Sequence, residues 1–301
     1  MTRSTKWFLG ILGILAVVAI GLTALAVSLL SNATNKTELV TTGSGDKIAI
    51  IELAGVILDA KDIVRQFKER RENNSIRGIV FRVESPGGGV VASQEIYEEV
   101  KKTRDFGKPV VVSMGSVAAS GGYYVSCGAT RIVANPGTLT GSVGVISEFL
   151  QLEDALEKLG VGVKTIKSGA LKDAGSPTKK MNERDEKYFQ DLMDDVHRQF
   201  IKVVERERKL EHDDAIALAD GRVFTGARAV SLGLVDTLGT YEDAIRILAN
   251  LAGIEGEPAI VKERVRETWF ESMFGDVSGS LSMLQRELLN RPVLSFRFRD
   301  P

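Results

Sequence analysis

Ile76-Arg77-Gly78-Ile79-Val80-Phe81-Arg82-Val83-Glu84 runs into Ser85-Pro86-Gly87-Gly88-Gly89, which runs in turn into Val90-Val91-Ala92-Ser93-Gln94-Glu95-Ile96-Tyr97. The first segment is rich in β-branched and aromatic residues and reads as a strand, and the last reads as a helix. Between them the glycines let bare backbone approach a ligand, and the amides that open the helix can hold negative charge. The Gly-Lys-Ser/Thr ending of a phosphate loop is missing. Taken alone, the stretch is a tight strand-to-helix turn.

The same alternation continues on both sides. Strands are expected at Lys47–Leu53, Ile76–Glu84, Pro109–Met114, Thr130–Ala134, Gly144–Glu148 and Val163–Lys167, and helices at 59–71, 91–104, 117–127 and 151–159. Repeated βα units predict an α/β fold with a mostly parallel, buried sheet. From about 183 to 209, Phe189, Leu192, Met193, Val196, Phe200 and Val203 mark one apolar face of a long helix suited to packing or assembly. The 255–301 segment carries no motif and is not placed.

The chain has 301 residues, 39 Lys or Arg against 40 Asp or Glu, and a net charge of −1, which argues against nucleic acid as a partner. One cysteine, Cys127, excludes an intrachain disulfide framework and a multi-thiolate metal site. Two histidines, His197 and His212, make a histidine-rich metal centre a poor reading. Serine, lysine and carboxylate chemistry remain. Trp7 to Leu30 carries no charge over 24 residues. As a helix it would span about 36 Å, enough for a ~30 Å hydrocarbon core. Arg3 and Lys6 precede it, which predicts a single-pass anchor with the N-terminus cytoplasmic and the rest extracytoplasmic. A cleaved signal with Ala24-Leu25-Ala26 as its processing site is the competing reading, and the length of the apolar run favours a retained anchor. Setting aside Arg3, Lys6 and Lys36 leaves a charge of −4 on residues 37–301. The chain then divides into a stub and anchor (1–36), a linker (37–45), an α/β domain (46–254) and the 255–301 segment.

Two further stretches carry chemistry. Ser116-Val117-Ala118-Ala119-Ser120-Gly121-Gly122-Tyr123-Tyr124 follows a strand, and a serine at such a turn with tiny neighbours can face a substrate carbonyl while its own turn supplies an amide. A small-residue helix packed on the sheet is the other reading. Lys167-Ser168-Gly169-Ala170-Leu171-Lys172-Asp173 offers a lysine that could act as base if burial lowers its pKa. His197, beside Asp194 and Asp195, and His212, in Lys209-Leu210-Glu211-His212-Asp213-Asp214, read as surface residues.

Together these stretches, with Gly141-Ser142-Val143-Gly144-Val145, Gly221-Arg222-Val223-Phe224-Thr225-Gly226 and Gly233-Leu234-Val235-Asp236, resemble the signal peptide peptidase A family over roughly residues 46–250. That resemblance implies a membrane-anchored serine-lysine endopeptidase with repeated ββα units, like the proteolytic subunit of Clp and the crotonases. It implies Ser120 as nucleophile, Lys172 as general base, Ser142 as the residue orienting the lysine, and Gly88 and Gly121 as oxyanion amides. No metal or organic cofactor is implied. The substrates would be apolar peptides such as remnant signal peptides, with lipid contacted through the N-terminal helix. Longer relatives carry two tandem copies, with lysine from one and serine from the other. A single copy therefore implies a homo-oligomer with shared active sites, although spacing alone allows a dyad within one chain. A catalytically silent crotonase-like membrane scaffold and an enzyme of acyl-thioester chemistry are the alternative functions for this fold.

Overall fold

The computed structural model describes residues 7, 12–21, 23, 37–265 and 295–298. Contacts divide the chain into two compact units, Thr41–Lys262 with Glu287–Pro301 and Met1–Val40 with Glu263–Arg286. Half of the expected anchor over Trp7–Leu30 lies outside the described residues. Residues 12–21 are helical, and no helix among the described residues is long and apolar enough to cross a membrane.

The strands are β1 (Thr37–Thr42), β2 (Lys47–Ala54), β3 (Ile76–Ser85), β4 (Gly87–Gly89), β5 (Val110–Ala119), β6 (Arg131–Ala134), β7 (Leu139–Gly141), β8 (Val223–Thr225), β9 (Thr237–Leu238), β10 (Ala259–Val265) and β11 (Ser295–Arg297). In the larger unit the sheet runs β10-β2-β3-β5-β6-β9, and every one of these neighbours is parallel. Parallel strands need crossovers that cover the sheet, so both faces are buried and successive residues along a strand are apolar. One face sets Ile48, Ile50, Val80 and Val111 against Ala244 and Leu248 of the Tyr241–Leu251 helix. The other sets Ala49, Ile51, Phe81 and Val112 in one core with Phe67, Ile96 and Tyr124 of three helices. Phe67 meets Phe81 edge-on, ring centroids 5.0 Å apart. Both rings are fully buried, and truncating either to alanine would cost about 3–5 kcal/mol.

Three departures from the sequence reading shape the site. The helix expected from 117 begins only at Gly121, because Val117–Ala119 continue β5 and pair with Leu139, Thr140 and Gly141 of β7. The expected Gly144–Glu148 strand is reduced to one bridge, Ile146 with Ser295. The expected Val163–Lys167 strand does not form, and residues 161–170 are all exposed, Ile166 by 91%. A β-branched run becomes a strand only where a neighbour takes up its edge and face, and these residues have neither. The 255–301 segment, without a motif, supplies β10 beside β2 and β11 beside β4.

The Glu183–Arg208 helix starts where the sequence reading puts it. Asn182 accepts from the Arg184 and Asp185 amides in a capping box, which is worth about 1 kcal/mol. Its C-terminal half packs into the core through Phe200, Val203 and Val204, whereas its N-terminal half is largely exposed.

Candidate active site

Ser120 stands between β5 and the Gly121–Ser126 helix with φ +54° and ψ −115°. L-residues avoid that region, at a cost of about 1–3 kcal/mol, and it persists only where neighbours fix it. Here the Ser120 amide donates to the Gly141 carbonyl at 2.8 Å and its carbonyl accepts from the Tyr124 amide at 2.8 Å. Ser120 is 1% exposed and its Oγ has no hydrogen-bond partner among the described residues. Leaving a hydroxyl buried and unpaired costs about 1–3 kcal/mol, which marks a group kept for chemistry rather than for folding.

The three β4 glycines have different tasks. The Gly87 amide donates to Ser85 Oγ at 3.1 Å, and the Gly89 amide donates to the Ile57 carbonyl at 2.7 Å. Gly88 lies between them, so its N–H points to the opposite side of the strand. A Cβ on Gly88 would stand 2.1 Å from the Ile57 carbonyl oxygen, so no larger residue fits. A Cβ on Gly121 would stand 3.1 Å from the Gly88 nitrogen and from Gly87 Cα. The Gly88 and Gly121 amides are thereby brought together beside Ser120. Gly121 opens its helix, so its N–H has no intrahelical acceptor.

Ser142 also has a left-handed backbone, φ +52°, and is buried. Its amide donates to the Arg222 carbonyl at 2.9 Å, at the end of the antiparallel β7–β8 pair. Gly221 donates to Val143 and Gly226 to Thr138, so the Gly221–Gly226 motif acts as a brace for Ser142. Asp236, the last residue of Gly233-Leu234-Val235-Asp236, is likewise structural, accepting from the Ile132 amide at 2.7 Å and pairing with Arg208 at 3.1 Å.

The structure brings together Ser120, Ser142, Gly88 and Gly121 but not Lys172. Lys172 is exposed, its amide bonds the Gly169 carbonyl, and its ammonium has no partner among the described residues. The 150–170 arm around it is almost entirely exposed, so the described residues of its own chain do not supply the burial that a lysine base needs. Lys167, the first lysine of that motif, bonds Asp173, as does Lys179 at 3.3 Å. The Lys167 hydrogen bond outweighs the others in holding the Asp173 carboxyl below the ordinary carboxylate range. These pairs fix the turn that presents Lys172.

Neither histidine bonds Ser120. His212 is exposed and bonds Glu205. His197 is half-buried rather than on the surface, with Nε2 unpartnered among the described residues. Burial pushes the Cys127 thiol up to about 12, which leaves it inert. Among the described residues no group of His, Cys, Asp and Glu could hold a metal ion. The sequence reading placed Ile146 in an expected Gly144–Glu148 strand but missed Ser295–Arg297, which pairs with Ile146 and with the glycine strand; its trace in sequence is the alternation Phe296, Phe298.

The sequence pattern of peptidase family S49 matches residues 102–255, and that of Clp protease matches residues 46–138. A Synechocystis sp. chain named as a candidate protease, slr0021, is 43% identical over 216 residues, 71% of this chain and 77% of that one. Protease 4 of Salmonella typhi is 34% identical over 269 residues, 84% of this chain but 43% of its own length. The chloroplastic serine protease SPPA of Arabidopsis thaliana is 32% identical over 237 residues, 74% of this chain and 35% of its own.

Proposed function

The chain belongs to peptidase family S49, and on that premise we propose that it is a membrane-anchored serine endopeptidase acting through Ser120 and Lys172. The observation that carries this reading is Ser120 itself, a strained, buried, unpartnered hydroxyl beside two amides. The neutral Lys172 amine takes the Ser120 proton, and the oxygen attacks a peptide carbonyl carbon. The tetrahedral oxyanion is held by the Gly88 and Gly121 amides, a type of contact worth about 2.7–4 kcal/mol each. Lys172 returns the proton to the leaving amine, and water then releases the acyl group with the same lysine as base.

A lysine becomes a base at neutral pH only when desolvated. Lys172 is exposed in the single chain, on an arm that also exposes Leu150, Leu159, Val161, Val163 and Ile166. Apolar residues displayed in such a row mark a surface for another protein. A second copy of the chain covers the arm in this reading, and Lys172 then enters the neighbour's site, where Ser142 orients it. The substrates are apolar peptides, remnant signal peptides among them, reached from the extracytoplasmic side by a domain held to lipid through Trp7–Leu30.

The test is a fluorophosphonate probe followed by peptide mapping. Label on Ser120, lost in Lys172→Ala, supports the assignment; label on another serine, with Ser120 unmodified, overturns it.

A further inference from the structure

β3 and β5 pair one to one from Ile79 with Val110 to Val83 with Met114, but the next pair is Ser85 with Ala118. Glu84 thus stands opposite three residues of β5, Gly115, Ser116 and Val117, in a bulge. Its side chain makes the bonds there. Glu84 Oε2 accepts from the Ser116 amide at 2.8 Å and Oε1 from the Val117 amide at 3.0 Å. A Cβ on Gly115 would stand 1.6 Å from Oε2 and 2.6 Å from the Glu84 Cδ, so the carboxylate fits only over a glycine. From the other side Thr138 Oγ1 donates to the Gly115 carbonyl and Thr140 Oγ1 to the Ala118 carbonyl, both at 2.7 Å. Across the bulge β5 changes neighbour: Val111–Ser113 pair with β6, whereas Val117–Ala119 pair with β7, which leads the Ser120 amide to the Gly141 carbonyl. Glu84 lies four residues before Gly88, and Ser116 four before Ser120. One side chain therefore ties the glycine strand to the strand that carries the serine.

We infer that Glu84 is a positioning residue for the nucleophile: its carboxylate sets the β5 bulge, and the bulge sets where Ser120 stands relative to the Gly88 and Gly121 amides. It acts through the β5 backbone. Two acceptor oxygens are needed for the two amides, and glutamine offers one. The inference rests on the peptidase reading for the meaning of Ser120, but its geometry is also read without turnover.

The experiment uses the full chain. Glu84→Ala should lower kcat about a hundredfold and leave KM within about twofold, because a misplaced nucleophile slows the chemical step without altering substrate binding. Glu84→Gln, with one acceptor left, should fall between Glu84→Ala and the wild type. Gly115→Ala pushes the carboxylate off its two amides, so it should match Glu84→Ala on its own and cost nothing further once residue 84 is alanine. Fluorophosphonate labelling of Ser120 should slow in step with kcat. Hydrogen exchange, followed by mass spectrometry on peptides spanning 114–119, should quicken at Ser116 and Val117 by about tenfold or more in Glu84→Ala and in Gly115→Ala. A kcat within about twofold of wild type in folded Glu84→Ala, a loss carried by KM, or equal penalties for Gly115→Ala in both backgrounds overturns the inference. Faster exchange in the variants, with Ser120 never labelled in the wild type, would leave Glu84 as the brace of the turn and remove the peptidase reading instead.

Discussion

A dyad shared between copies predicts that two dead variants revive each other. Among the described residues, Ser120→Ala removes a hydroxyl that has no partner to lose, and Lys172→Ala truncates an exposed side chain that makes no bond. Both should therefore fold, with stability within about 0.5 kcal/mol for the lysine change and no penalty from lost hydrogen bonding for the serine change. Each should cost about 10⁴-fold or more in turnover, since nucleophile and base act as one unit. When the two are co-expressed and mix at random, about a quarter of interfaces join an intact serine to an intact lysine, so about a quarter of wild-type activity should return. If serine and lysine met inside one chain, no mixed assembly would contain a complete site. The assay is hydrolysis of a fluorogenic apolar peptide by assemblies purified through two different affinity tags. Dual-tagged assemblies without activity, or a wild-type enzyme that is fully active as a monomer, would refute the shared site.

Ser120→Gly should be more stable than Ser120→Ala by about 1 kcal/mol, against the usual order, because glycine accepts φ +54° at no cost; calorimetry showing the reverse would deny the strained turn. Cys127, buried and with its thiol pushed up to about 12, should resist iodoacetamide at neutral pH until the protein unfolds, so modification of the native protein would contradict its burial. Burial acts to raise the Glu207 carboxyl, but bonds from Tyr97 at 2.6 Å, Arg104 at 2.8 Å and Arg206 at 3.0 Å win and lower it. A carboxyl lowered in the folded state stabilises above its unfolded value of about 4.3 and loses that contribution as pH falls through its folded value. Melting temperature should thus fall more steeply below pH ~4.3 in the wild type than in Glu207→Gln, and parallel curves would refute the assignment.

The central strands were legible because a doubly covered parallel sheet forces apolar residues at consecutive positions, as at Ile48–Ile51 and Ile79–Phe81. Where a strand depends on a distant neighbour, the local signal misleads. Ala118 and Ala119 have high helix propensity, yet they extend β5 because β7 is there to pair with them. Val163–Lys167 has good strand composition and forms none, for want of a partner. β10 and β11 went unplaced because each is defined by the strand it joins, β2 and β4, some two hundred residues earlier in the chain.

The candidate site divides along the same line. In sequence alone the glycine stretch reads as a tight turn and the Ser120 stretch as readily as a packed small-residue helix, so Gly88, Gly121 and Ser120 are assigned through the family resemblance; the structure adds the close backbone approach at the glycines and the left-handed turn at Ser120. Among the described residues, three non-glycines have positive φ: Ser120, Ser142 and Lys209. Lys209 ends a helix, and the two serines flank Gly141, one by hydrogen bond and one by sequence. Strain has therefore collected where the proposed chemistry is, and the local consistency seen elsewhere in the fold gives way there. Lys172 lacks any such local mark. It carries the wrong solvation for a base, just as Ser120 carries the wrong partner count for a folded serine, and the two deficits are complementary. A lysine that must be desolvated and a buried hydroxyl that must be bonded correct each other when one copy's arm enters another's site. On that reading a lone chain holds its nucleophile without a base, so assembly precedes cleavage.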